Sequence, residues 1–360
     1  MSVLKKIAAG AVLVAASLGL ATTAQAQPIK VGFVYVSPIG DAGWTFQHDQ
    51  GRKEMEKALG NKVETKYIEN VPEGADAERV IRELATSGNK VIFATSFGYM
   101  NYMEKVSKQF PNVVFMHATG YKRGKNLGTY NARFYEGRYV TGVIAGRMTK
   151  TNILGYVAAF PIPEVLQGIN AFTRGARSVN PKAEVRVIWT SSWYDPGKER
   201  DAANTLISQN ADVLTHHTDS TAVVQTAEEK GKWAIAYHSD MSKFGPKAHL
   251  TATTHQWGAF YTKAVSDVIA GTWKSGDTWG GFKEGMIKLA PLNPAIPANV
   301  KAEVEKIEAA LTAGKFHPFT GPVKDQDGKD HAPAGQPMSD EDLGKMNFFV
   351  EGVASKLPKS

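Results

Sequence analysis

The feature that most constrains what this chain can fold into is a repeat of its strand and helix pattern at a near-constant offset of 122 residues. Val63-Glu64-Thr65-Lys66-Tyr67 is answered by Val185-Arg186-Val187-Ile188-Trp189, Leu84 by Leu206, Gly88 by Asn210, Val91 by Val213 and Ser96 by Thr218. Within each half, short apolar runs such as Val31 to Val36 alternate with helix-length amphipathic stretches, the pattern of parallel sheets covered on both faces. A long-period repeat of that unit predicts two lobes of one topology rather than a single wide sheet.

The N-terminus reads as an export signal. Lys5 and Lys6 precede an uncharged apolar run from Ile7 to Leu20, and Ala24-Gln25-Ala26 has the small-residue spacing of a cleavage site. Residues 1–26 are therefore set apart as a signal peptide, leaving a soluble mature chain in the periplasm. The expected division is 27–148 plus about 252–280 for lobe 1 and about 151–250 plus about 281–320 for lobe 2, with 321–360 assigned to neither. Tyr135 to Met148 reads as a helix, with the hinge just beyond it.

Composition excludes several functions. The chain has no cysteine, which removes disulfides, thiolate metal sites, a cysteine nucleophile and a lipidated cysteine. The formal charge of +7 falls to +5 once Lys5 and Lys6 leave with the signal, and no basic run interleaved with aromatics is present, so nucleic acid is not an expected partner. No Gly-x-Ser-x-Gly, His-Glu-x-x-His, Walker loop or dinucleotide fingerprint occurs, and no cofactor is expected. His216 and His217 are adjacent on a strand, so they point to opposite faces and cannot chelate one metal together. A carboxylate pair for hydrolysis would be assembled only in the tertiary fold, so a hydrolase stays open as an alternative.

In open parallel sheets, ligands sit outside the carboxyl ends of the strands. That rule selects Asp41 and Trp44, Ser96 and Phe97, and His117 in the first half. In the second it selects Trp193, Asp219, and His238 with Asp240, and Trp257 opens the helix returning to the first half. Aromatic rings beside carboxylates and histidines suit a flat, nitrogen-bearing ring, stacked between Trp44 and Trp193 and bonded along its edge by Asp41, Asp219 or Asp240. Asp41 is nearly as well suited to capping the following helix, and His238 to lying satisfied in the core.

Several segments, in order, carry a family resemblance: Gly40-Asp41-Ala42-Gly43-Trp44, Glu136-Gly137-Arg138-Tyr139-Val140-Thr141-Gly142, Ser192-Trp193-Tyr194-Asp195, His238-Ser239-Asp240 and Met346-Asn347-Phe348-Phe349-Val350-Glu351-Gly352-Val353. With them the mature chain resembles the basic membrane protein family of ABC-transporter solute receptors. The resemblance implies an α/β fold of the type I periplasmic binding protein class, two Rossmann-like lobes joined by a three-crossover hinge. It also implies a small-molecule ligand, a purine base or nucleoside, and an ABC permease in the inner membrane as partner. A monomer is expected.

In nucleoside-binding members an aromatic from each lobe stacks on the purine, and Trp44 and Trp193 match those positions. His238 departs from the family's Asp-Ser-Asp, and Trp257 stands where a ribose-binding lysine is expected. Both departures favour a free, adenine-like base, with a nucleoside receptor as the alternative, and after it a nucleoside hydrolase or a ligand sensor.

Overall fold

The structure, a computed structural model, describes residues 27–358, so the expected signal segment lies outside the described residues. The first half builds β1 (Ile29–Val34), α1 (Trp44–Leu59), β2 (Val63–Ile68), α2 (Ala75–Thr86), β3 (Asn89–Ala94), α3 (Met100–Ser107), β4 (Val114–Ala118) and β5 (Leu127–Ala132). Then come α4 (Phe134–Met148), β6 (Ile153–Ala158), α5 (Pro163–Val179), β7 (Glu184–Trp189), α6 (Pro196–Ser208), β8 (Val213–His217), α7 (Ala222–Glu229), β9 (Trp233–His238) and β10 (His249–His255). The remainder is α8 (Gly258–Ile269), β11 (Asp277–Gly280), β12 (Ile287–Leu289), α9 (Ala298–Thr312) and α10 (Asp340–Gly344).

Two sheets result, ordered β2-β1-β3-β4-β5-β11 and β7-β6-β8-β9-β10-β12. The orders match position for position, so the sequence repeat is a structural one. All neighbours pair in parallel except β12, which runs antiparallel to β10. Central strands such as β8 and β10 are buried along their whole length, as strands covered by helices on both faces must be.

The chain passes between lobes after β5, after β10 and after β11. The first passage comes earlier than the sequence suggests. α4 packs along α5, α9 and β10, in the second lobe rather than the first. The α4–α5 contact is made by glycines: a Cβ on Gly142 would strike the Phe172 carbonyl, and one on Gly175 the Tyr139 carbonyl. β10 stays in the second sheet to His255, so the return also falls after residue 255 rather than near 252. The tail joins the second lobe. Val353 bridges Val185 of β7, and Asn170 of α5 both donates to the Phe348 carbonyl at 2.8 Å and accepts from Val350 N at 3.0 Å.

Candidate ligand-binding site

The carboxyl ends of both sheets face each other across a gap, and the loops leaving them line a chamber. Six of the ten residues selected from sequence line it: Trp44, Ser96 and Phe97 from the first lobe, and Trp193, Asp219 and His238 from the second. Trp44 begins α1 and is only 8% exposed. Its indole N–H donates to the Thr95 carbonyl at 2.6 Å, and His48, His238 and His255 contact it edge-on with centroids 4.4, 5.5 and 5.5 Å away. Trp193 is half-buried opposite, with Phe160 edge-on at 5.0 Å. Its indole N–H crosses the gap to Glu73 Oε1 at 3.2 Å.

The other four take different places. Asp41 is exposed on the lip of the cleft and is not among the chamber's lining residues. Asp240 is also exposed and accepts from Ser242 N at 2.8 Å, holding its own turn. His117 lies one layer beneath, where its Nε2 meets the Ser96 carbonyl at 2.7 Å and burial pushes its imidazole down to about 4. Trp257, expected to fill the space of a sugar, is 1% exposed and stacks flat on His48 at 4.8 Å, behind Trp44. The chamber ends before reaching it.

Glu164 and His217 line the chamber and were not selected from sequence. Glu164 stands in the first turn of α5, with its Oε1 3.3 Å from His217 Nε2. Burial pushes this carboxyl up to about 8, partly offset by the Arg138 guanidinium. Burial and the same guanidinium hold His217 well below the usual imidazole range. His238 is held low in the same way, by burial and then by His255 and His217. Its backbone adopts φ +74°, uncommon for a residue with a side chain, and its Nδ1 has no protein partner. Arg138 itself is fully buried behind this cluster, donating to Thr215 Oγ1 at 3.0 Å and the His216 carbonyl at 2.6 Å, with its guanidinium 3.4 Å over the Tyr237 ring.

The sequence did hold a signal for Glu164. Pro38-Ile39-Gly40-Asp41 after β1 corresponds to Pro161-Ile162-Pro163-Glu164 after β6, so the internal repeat sets Glu164 opposite the selected Asp41. His217 was weighed only as half of a metal pair.

The chamber thus has aromatic and aliphatic walls and a polar edge carrying a proton-bearing carboxyl beside neutral imidazoles. Among the described residues no lysine or arginine lines it. A neutral planar heterocycle fits such a surface and a phosphorylated one does not.

Two parallel-sheet lobes closing on an enclosed polar-edged chamber define a solute-binding receptor of the periplasmic binding protein fold. A solved ABC-transporter solute-binding protein from Aeropyrum pernix superposes with a TM-score of 0.71 at 18% identity, over 84% of this chain and 95% of that one. Residues 29–314 match the family model described as ABC transporter substrate-binding protein PnrA-like, and the chain belongs to that family. A purine-binding protein of Brucella abortus is 54% identical over 92% of this chain and 95% of its own length. A putative ABC transporter glucose-binding protein of Haloferax volcanii is 38% identical over 93% of this chain and 82% of its own. No helix of the described residues is long and apolar enough to cross a membrane.

Proposed function

We propose that this receptor is exported to the periplasm, binds a purine nucleobase, adenine above all, and delivers it to an ABC permease. The observation that carries the reading is the pairing of an indole from each lobe, Trp44 and Trp193, with the Glu164 carboxyl at the chamber's edge. A carboxyl that keeps its proton at pH 7 offers one donor and one acceptor side by side. Adenine presents the complement, an exocyclic amino donor beside a ring-nitrogen acceptor. The likeness to the purine-binding protein of Brucella abortus supports a purine. The preference for a bare base over a nucleoside rests on His238, which departs from the family's Asp-Ser-Asp; Trp257, buried behind Trp44, adds nothing to it.

Isothermal titration of unfolded, ligand-stripped and refolded protein tests the reading. Adenine is expected to bind one-to-one without turnover and more tightly than adenosine, while glucose gives no heat of binding. Saturable glucose binding with no response to any purine would replace the purine by a sugar, and release of base from adenosine would replace the receptor by a hydrolase.

A further inference from the structure

We propose that Asp219 is a positioning residue that closes the two lobes on each other, rather than a ligand contact. Helix α1 starts without a cap of its own: its N-cap is Gly43, at φ +106°, and no side chain of the first lobe accepts from its leading amides. The Asp219 carboxylate reaches across from the loop after β8, taking Trp44 N on one oxygen and the Ser37 hydroxyl on the other. Gly43 N is itself bonded across the cleft, to Ser239 Oγ at 2.8 Å. A Cβ on Gly43 would collide with Asp219, so glycine is what lets the lobes approach this closely.

Both carboxylate oxygens are therefore engaged by the opposite lobe once the cleft is closed. The same residue holds both indoles. Its carboxylate fixes the residue that bears one, Trp44, and its backbone N–H donates to the carbonyl of the other, Trp193, at 2.8 Å. A cap supplied in trans forms only when the cleft shuts, and a carboxylate at a helix N-terminus gains from the aligned backbone dipoles as well as from the hydrogen bonds. Closure and clamp geometry thus meet at one residue, whose side chain holds ligand-free molecules partly closed. This inference uses the receptor class and the closed cleft and does not depend on the ligand being a purine.

Because the chain has no cysteine, a single pair of spin labels can be placed cleanly. Asp76→Cys and Lys198→Cys put labels on exposed first-turn positions of α2 and α6, whose preceding loops meet across the cleft at the Glu73–Trp193 bond. Distances measured by electron double resonance without ligand are expected to include a short, closed population. At pH 8, above the value of about 7 to which burial raises Asp219, Asp219→Ala should lower the closed-to-open ratio roughly ten- to hundredfold, the range for losing hydrogen bonds to a charged group. Asp219→Asn, whose amide oxygen still accepts from Trp44 N, should recover part of the closed population. Ser37→Ala probes the same contact from the other lobe, and serves if the Asp219 variants do not fold; it should shift the ratio the same way by less.

Two results would overturn the proposal: no closed population in the ligand-free parent, or loss of adenine affinity in Asp219→Ala with an unchanged distance distribution. The second would return Asp219 to the ligand. Failure of the parent protein to bind adenine bears on the purine reading alone.

Discussion

Removing the Trp193 ring tests the aromatic clamp more cleanly than removing Trp44, because this indole is half-buried at the edge of the core in which Trp44 is buried. An indole presents about 200 Å² in all, so a ring stacked on its free face removes on the order of 100 Å² from water. At about 25 cal/mol per Å² that burial is worth roughly 2.5 kcal/mol. The preferred geometry of aromatic pairs adds about 0.5–1.5 kcal/mol. Some of this is lost again because the Phe160 ring, 5.0 Å away, can relax toward the vacated space. A net of about 3 kcal/mol corresponds to a weakening of about a hundredfold in Kd. Titration of Trp193→Ala with adenine should show that weakening. Its thermal midpoint should fall by less than that of Trp44→Ala, because a half-buried ring gives up the Glu73 bond at 3.2 Å, the Phe160 and His217 ring contacts and part of one packing face. Trp44→Ala behaves differently: it empties a site enclosed by His48, Phe134, His255 and Trp257, at a cost to folding of about 3–5 kcal/mol. A Trp193→Ala protein that binds adenine within threefold of the parent refutes stacking between the lobes, whatever becomes of Trp44→Ala.

Glu164→Gln should bind adenine within about fivefold of the parent at pH 7, because the amide keeps one donor and one acceptor. Parent affinity should fall as pH rises through about 8, where the Glu164 carboxyl loses its proton, while Glu164→Gln stays level; identical pH profiles contradict the assigned role. Folding stability should peak near pH 6.5. Burial raises the carboxyls of Glu136 and Asp219 to about 7 and that of Glu164 to about 8, so the native state holds protons that the unfolded chain has released, and stability falls as pH climbs toward those values. Burial also lowers His48, His117, His216, His217, His238 and His255, so below about pH 6.5 the unfolded chain takes up protons that the native state refuses, and stability falls again. Burial also lowers His249 and His317 and raises Glu199 and Glu308, so eight histidines outweigh five carboxyls on the acid side, and a thermal midpoint still rising at pH 8 would contradict this balance. Gly142→Val drives a side chain into the Phe172 carbonyl and should cost about 2–3 kcal/mol in chemical denaturation, with adenine affinity retained by the molecules that fold.

The sequence showed the two lobes and their order because a repeat in hydrophobic spacing is a local property, carried by residues such as Val63 and Val185 whatever surrounds them. It could not show which sheet a helix packs on. α4 follows a strand of the first lobe, and what binds it to the second is tertiary: the close approach of Gly142 to Phe172 and of Gly175 in α5 to Tyr139, and the bonds of Arg138 to Thr215 and His216. Depth was equally hidden. Trp257 opens a helix just as Trp44 does, yet it is covered by His48 and Tyr130, which lie far from it in the chain.

The strand-end rule located the loops of the chamber but could not apportion their polar groups. In a hinged receptor every such group has two possible partners, the ligand and the opposite lobe. The Asp219 oxygens go to Ser37 and Trp44 of the first lobe, and Glu73 takes the Trp193 indole of the second. Glu164, His217 and His238 sit at the chamber with no hydrogen-bond partner on the opposite lobe, which leaves their polar atoms available to a ligand. The carboxylates at such a cleft therefore divide between holding the lobes shut and recognising what lies between them, and the division follows from what occupies each oxygen once the gap has closed.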